Sequence, residues 1–496
     1  MTIQHRLNNI PRFQYLLPLL FFLAGCGIIY SYGCFEFDPD EGINLMKAFL
    51  LYKGFPLYQE IWNDQPPILT HLLALGFQFV EPRVEFARTF ILICSTILLW
   101  QTWLILYLLG GVLHAYIGCL FLLIAPNYWK LSISVMVGLP CITIALGAVL
   151  SIVVWHATQK NFWLIVSALL LSISILTKLF TFFLAPIILV GIVCSLILPS
   201  KKISSKQLQP AALWMMVFFG SSILILLSLV GIENIHLLIN NHTSAREIDA
   251  FQNMALRHSL RNDYRLFLVG LTIWGAIAAY QRQQWQVFYF ASWSLVAYQL
   301  LINHRPIWYH QVLLLHIPAI IMAGYTLGEI ITVAIGSAGS YFRFNRRLLL
   351  ALFTIALLYA SVLLIGEQTK TTTKEIKSWR KACNKITIST SLDRQFLGAI
   401  NQYDSQTDWI VTDSPMFAFR AGITVPPSTA VLSRKQLETG NITDEQLIKA
   451  IQQYQPEQIL FKRFEWASLT SFLEQNYQLK MQQDNFRLYV RRKEDS

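Results

Sequence analysis

The chain has 496 residues, 54% of them hydrophobic and only 14% charged. Soluble domains carry about 25% charged residues, so a wholly soluble protein is excluded and most of this chain belongs in lipid. The formal charge of +11 does not point to nucleic acid, because Lys201, Lys202, Lys206, Arg343, Arg346 and Arg347 fall in short loops between apolar runs, as the positive-inside rule describes.

The first apolar run, 14–33, follows a short segment with His5 and Arg6. It is too long for a signal-peptide core and no small-x-small cleavage site follows, so it reads as a retained span with a cytoplasmic basic end. Further apolar segments cover 66–80, 88–109, 112–125, 131–155, 161–177, 180–198, 211–232, 265–281, 285–302, 310–335 and 347–366. Crossing the hydrocarbon core takes about 20 residues, and several of these runs are shorter. The basic stretches 199–210 and 336–347 are expected in the cytoplasm, which places 34–65, 233–264, 303–309 and everything after 366 on the far side. That alternation requires an odd number of crossings. The expected class is mainly α, a polytopic bundle of about 11 or 13 spans, with one segment between 112 and 198 a half-span or re-entrant piece, or one run divided.

The densest polar chemistry lies in the loop 34–65. Glu36, Asp38, Asp40 and Glu41 crowd together directly after the first span. Asp38-Pro39-Asp40-Glu41 predicts a helix start, with Asp38 as N-cap, proline in the first turn and Glu41 closing a capping box. Ile43, Met46, Phe49 and Leu50 give one apolar stripe, which Gly54 ends. This pattern predicts an amphipathic helix lying on the membrane surface. Glu36 reads as a solvated loop charge. Asp64 precedes the span that Pro66 and Pro67 open.

After residue 366 the composition becomes that of a soluble domain. Strands are predicted at 409–412, 458–461 and 486–490, with helices at 392–403, 444–454 and 467–476 between them. The expected organisation is a membrane part, 1–366, and a small extracytoplasmic α/β domain, 367–496. Five cysteines (Cys26, Cys94, Cys119, Cys141 and Cys194) sit in apolar runs as small hydrophobes. Cys34 and Cys383 lie in polar regions that could share an oxidising side, though their pairing does not follow from sequence. Asn241 and Asn441 head short glycosylation-type motifs from which nothing is drawn. No metal-type spacing and no Gly-rich phosphate loop occurs.

The order of a first span, Asp40-Glu41-Gly42, Gly54-Phe55-Pro56-Leu57-Tyr58, and Asn63-Asp64-Gln65-Pro66-Pro67 resembles the polytopic GT-C glycosyltransferases of the protein O-mannosyltransferase and aminoarabinose-transferase type. Leu176-Thr177-Lys178, His304-Arg305-Pro306 with Tyr309-His310, Asp413-Ser414-Pro415 and Ala421-Gly422 are similar to later parts of that family. The resemblance covers most of the membrane part and is most specific over 38–67. It implies transfer of a sugar from a polyprenyl-phosphate carrier onto an acceptor hydroxyl, on the extracytoplasmic face. Gln65 departs from the basic residue or histidine often found there, which removes a phosphate contact at that position.

Residue chemistry fits these roles. An acceptor hydroxyl needs a base, and Asp40 at the membrane edge is the best candidate; Glu41 would assist, and Asp64 would contact the acceptor, a sugar hydroxyl or a divalent ion. Asp38, Asp40 and Asp64 together could hold one divalent metal ion. Helix and span capping would by itself account for Asp38, Glu41 and Asp64. The leaving phosphate needs cations, for which Lys178, His304, Arg305 and His310 are candidates, with Tyr309 beside them. Snorkelling to headgroups is their ordinary alternative, whereas Lys178 between two apolar runs is costly to place without a function. The basic residues His242, Arg246, Arg257, His258 and Arg261 could guide an anionic carrier or rest on headgroups. The competing readings are a multi-span transporter or lipid flippase, and a structural subunit whose tail recruits partners. A transporter would favour internal repeats and ionisable groups near mid-span; here no repeat is seen, the carboxylates lie in a loop expected on the far side, and a soluble domain is expected on that same side.

Overall fold

The computed structural model describes residues 2–32, 34–197, 208–243, 263–303, 308–336, 392–403, 407–438 and 440–492, with single turns between 362 and 377. All of the predicted segment 347–366 except 362, 365 and 366, the basic stretches 199–207 and 337–347, His304 and Arg305, Arg246, Arg257, His258 and Arg261, and Cys383 lie outside the described residues.

Each of the eleven predicted apolar segments up to residue 335 is helical. The membrane part comprises α1 (Ile3–Asn8), α2 (Leu16–Tyr32), α3 (Pro39–Tyr52), α4 (Ile68–Phe77), α5 (Val84–Leu109), α6 (Val112–Leu123), α7 (Tyr128–Ser132), α8 (Gly138–Thr158), α9 (Asn161–Ile175), α10 (Leu184–Ile197), α11 (Gln209–Leu229), α12 (Ile235–Thr243), α13 (Asp263–Gln281), α14 (Val287–Asn303) and α15 (Leu313–Gly336). Among the described residues, six helical stretches are long and apolar enough to cross a membrane and five shorter ones are apolar. The chain is an integral membrane protein. At 1.5 Å per residue the 26 residues of α5 extend roughly 39 Å, more than the hydrocarbon thickness. Helices α6 and α15 cross at Gly118 and Gly324. A Cβ on Gly324 would lie 2.8 Å from the Gly118 Cα, so only glycine permits this backbone approach.

Helix α3 corrects the surface-helix expectation. Glu41 through Leu50 are all buried, because α4 covers one side and the C-terminal domain the other. The stripe Ile43, Met46, Phe49 and Leu50 is real, but the opposite face is enclosed as well. Gly54, at φ +101°, follows the helix as anticipated.

The C-terminal domain contains α16 (Leu392–Asn401), α17 (Pro415–Ala421), α18 (Arg434–Glu438), α19 (Asp444–Tyr454) and α20 (Thr470–Asn476) around a four-stranded sheet. Its strands are β1 (Ile410–Thr412), β2 (Gln458–Phe461), β3 (Tyr477–Gln483) and β4 (Phe486–Arg491), in the order β1-β2-β4-β3. β1 and β2 are parallel, whereas β4 is antiparallel to both its neighbours. Val411, Leu447, Ile451, Ile459 and Leu473 form the domain's own core. Met416, Phe417 and Phe419 of α17 instead join the apolar core of the membrane part. The Phe35 and Phe417 rings meet at 4.5 Å and those of Phe49 and Phe419 at 5.8 Å. The domain is thus anchored by burial of aromatic surface.

Candidate active site

The acidic start of α3 divides its carboxylates between two environments. Asp38 is the N-cap: its Oδ1 accepts from the Asp40 N–H at 3.0 Å. Its Oδ2 accepts from the Tyr309 hydroxyl at 2.6 Å. Tyr309, expected to bind substrate, is therefore engaged with the cap, and Lys130 lies over its ring at 4.3 Å.

Glu41 does not close the expected capping box onto Asp38. Its Oε2 accepts from the Phe37 N–H at 3.0 Å, and its Oε1 from the Val135 N–H at 3.2 Å. Arg88 of α5 holds the same carboxylate in a fork, Nε to Oε1 and Nη2 to Oε2, both at 2.8 Å. Both side chains are essentially inaccessible. A guanidinium from elsewhere in the chain is a stronger partner than a backbone amide, so Glu41 turns inward and its part is architectural. Arg88 also donates to the Cys34 carbonyl at 2.8 Å, and Arg420 of α17 donates to the carbonyls of Cys34 and Phe35. One strut therefore joins the bundle, the acidic loop and the C-terminal domain.

Asp40 faces the other way. It reaches solvent, yet protein encloses it closely enough that burial raises its carboxyl to about 6. Asp38 adds to that rise, while Arg463, Lys178 and Lys47 oppose it. This is a carboxylate in a recess, open to a reactant and otherwise walled. Glu36, expected in solvent, is half-buried, and its Oε1 has no hydrogen-bond partner among the described residues. Burial pushes it up to about 8; Glu41 and Asp38 act in the same direction, and Lys462 and Arg463 against it. A Cβ on Gly42 would meet the Met416 N at 2.6 Å and this Oε1 at 2.9 Å. Glycine is what lets α17 sit on α3 at that point.

Lys178 lies in the connection between α9 and α10, buried, with Nζ 4.4 Å from the Phe180 ring centre. Among the described residues it has no ion-pair partner. His310 opens the span that continues into α15, and Lys178 and Lys130 both act on it electrostatically. Lys178, His310 and Tyr309 are thereby brought to the end of the bundle that carries Asp40.

The Asp64 side chain, 18% exposed, is held in a salt bridge. Its Oδ2 accepts from Lys435 of α18 at 2.7 Å. The same ammonium donates to the Asn241 carbonyl at 3.1 Å, and His242 is within 3.0 Å of the Asp64 carbonyl. Burial would raise the Asp64 carboxyl, but Lys435 and Lys47 outweigh it and hold it below its usual range. Lys47, buried on α3, donates to Asn63 Oδ1 at 2.9 Å and so ties that helix to the same loop. Asp64 is thus a clamp between the membrane part and the C-terminal domain. The proposed metal set of Asp38, Asp40 and Asp64 does not assemble: among the described residues no three His, Cys, Asp or Glu side chains gather to hold an ion.

Sequence reasoning passed over Arg88, Lys47, Lys130, Arg420, Lys435 and Arg463. Arg88 carried a usable signal, a lone arginine at the head of a long apolar run. The others look like ordinary surface charges until the chain is folded.

No family model matches the chain, and no curated protein matches it. Solved structures do. ArnT from Cupriavidus metallidurans bound to undecaprenyl phosphate superposes with a TM-score of 0.55 at 12% identity, over 96% of this chain and 97% of that one. Its apo state gives 0.56 at 12% identity, over 95% and 97%. The apo oligosaccharyltransferase of Archaeoglobus fulgidus gives 0.54 at 10% identity, over 90% of this chain and 69% of that chain. At such identities the likeness is one of fold. The chain has the GT-C fold that its motifs resemble, from the first span to the C-terminal domain.

Proposed function

We propose that this protein is a glycosyltransferase that moves a sugar from a polyprenyl-phosphate carrier to an acceptor hydroxyl by direct displacement on the extracytoplasmic face. The observation that carries the reading is Asp40, an accessible carboxylate in a walled recess near a buried lysine that has no acidic partner among the described residues. The acceptor oxygen attacks the sugar C1 while its proton passes to Asp40. The bond from C1 to the phosphate oxygen breaks, and the electron pair leaves with the lipid phosphate. A base that titrates near 6 is ionised at neutral pH and still basic enough to take up a proton. Lys178 offsets the charge that develops on the departing phosphate. His310 and, by their place in the chain, His304 and Arg305 belong to the same phosphate-binding group. Asp38 and Tyr309 keep the start of α3 in place, and Asp64 holds the loop that borders the recess.

Two further observations support this reading. Cys34, six residues before Asp40, is disulfide-bonded, which fits an oxidising compartment on that side of the membrane. The Cupriavidus structure of the same fold was solved with undecaprenyl phosphate bound, which supports a polyprenyl-phosphate carrier here.

The test is to incubate purified protein with radiolabelled polyprenyl-phosphate sugars and an acceptor mixture, and to follow released polyprenyl phosphate. Asp40→Asn is expected to lower release by about 10²–10⁴-fold, the range for losing a general base, while the protein still folds. Turnover at the wild-type rate in that variant would reject the assignment.

A further inference from the structure

The parallel pair β1 and β2 directs its carboxyl ends toward the start of α3. Thr412 is in register with Leu460, so the chain leaves both strands side by side, with Asp413 following β1 and Lys462 and Arg463 following β2. The crevice beyond the carboxyl ends of parallel strands is where ligands of α/β folds commonly bind. Here that end of the sheet lies against the start of α3, where the Met416 backbone faces Gly42.

Asp413 is fully buried, and its carboxylate organises the neighbouring turn. Oδ1 accepts from the Lys462 N–H, and Oδ2 from the N–H groups of Arg463 and Phe464, each at 2.9 Å. Three amides on one carboxylate leave the turn little freedom. The two cations on it then part. Lys462 pairs with Asp393 at 3.0 Å and lies over the Phe417 and Phe486 rings. Arg463 donates to the Asp413 carbonyl at 3.4 Å and lies over the Phe464 ring at 5.1 Å. No carboxylate forms an ion pair with it among the described residues. Its charge instead acts on Asp40 and Glu36 across the domain boundary. Two cations of different origin, Lys178 from the bundle and Arg463 from the C-terminal domain, therefore act on one carboxylate, and among the described residues neither has an acidic partner.

We propose that the C-terminal domain completes the active site, with Arg463 as a ligand of the donor phosphate and Asp413 as the positioning residue that aims it. This rests on the glycosyltransferase reading above. A phosphate carrying a lipid on one oxygen and a sugar on another keeps two oxygens for protein donors. An ammonium from one side and a guanidinium from the other match those two oxygens.

The experiment measures undecaprenyl phosphate binding to the full-length protein in detergent by native mass spectrometry, alongside steady-state release of polyprenyl phosphate. Arg463→Ala is expected to weaken binding about tenfold, in line with loss of one charge-assisted hydrogen bond, and to raise KM for the donor by a similar factor. Arg463→Lys restores part of the loss. Asp413→Asn changes Kd and KM in the same direction as Arg463→Ala with kcat at saturating donor retained, a split that simple destabilisation would not produce. Lys462→Ala, on the same turn but paired away, leaves both constants as in the wild type. If Arg463→Ala does not fold, Arg463→Gln, which keeps the stem over Phe464, carries the same expectation. Binding as tight as wild type in a folded Arg463 variant overturns the proposal and leaves the function standing. A wild-type protein that neither binds undecaprenyl phosphate nor releases polyprenyl phosphate from any donor overturns both.

Discussion

Asp40 and Glu41 are neighbours in sequence and opposites in environment. Glu41 has an arginine fork and two backbone amides on its carboxylate, and no water reaches it. Asp40 reaches solvent and has no ion pair among the described residues. On a helix, successive side chains point about 100° apart, so one residue enters the interface with α5 and the next looks into the recess. The buried side is satisfied and rigid. The open side is left electrostatically short, and chemistry needs that state.

The largest expected effect comes from breaking the satisfied side. Arg88→Ala leaves Glu41 ionised and buried without its counter-ion and should cost about 3–5 kcal/mol of stability. Thermal unfolding in detergent should show it as loss of folded protein rather than a selective fall in kcat. The double change Arg88→Met with Glu41→Gln removes both charges and should recover much of that loss. If Arg88→Ala alone kept wild-type stability and lost only activity, the division between buttress and recess would be wrong.

Gly42→Ala tests how tightly the two regions are pressed together. The added methyl would meet the Met416 backbone at 2.6 Å, which cannot yield as a flexible side chain would. Overpacking of this kind costs about 1–3 kcal/mol. Faster proteolysis of the C-terminal domain is the expected readout, with a melting temperature equal to wild type as the contrary result.

Removing the Asp64 clamp should matter less, because the pair is partly exposed. Lys435→Ala is expected to destabilise by about 1 kcal/mol. The sign of its pH dependence follows from the depressed Asp64 carboxyl. Its stabilisation is present above the ordinary carboxylate value and is lost as pH falls through the lowered folded one. Lys435→Ala removes the main cause of that depression, so the part of the acid limb due to Asp64 should shrink in the variant, and its deficit against the wild type should narrow as pH falls.

The effect at Glu36 is one of pH dependence, and its sign is opposite. Its folded value, about 8, stands above the usual 4.5, so the native state holds the proton more tightly and this group's contribution to stability declines as pH rises between those values. Glu36→Gln should flatten that decline, so the variant gains on the wild type toward pH 8. An unchanged profile would mean that Glu36 is solvated, as its sequence context alone suggested.

Much of the frame was legible because it depends on local properties. Apolar runs become helices wherever backbone groups must satisfy one another in lipid, and the described apolar segments between 14 and 335 follow that rule. Asp38 capped its helix as expected, since a cap needs only the next few amides. Strands β1, β2 and β4 announced themselves by β-branched and aromatic residues. Strand β3, Tyr477–Gln483, did not, because it is a largely exposed edge strand with little apolar alternation. Helix α17 was also missed, its seven residues being too few for a periodic signal. The misreading of Glu41 has a similar cause. Locally it completes a capping box, but Arg88 lies 47 residues away and offers more.

Sequence by itself determined the membrane class, the helical frame, the small C-terminal sheet domain and the acidic stretch at 36–41, because hydropathy and short-range hydrogen bonding act over a few residues. Only the tertiary structure decided which carboxylate is buttress, which is clamp and which faces the recess. Those roles depend on Arg88, Lys435, Lys178 and Arg463, charges far apart along the chain. Their energies become large only when folding brings them together where water no longer screens them.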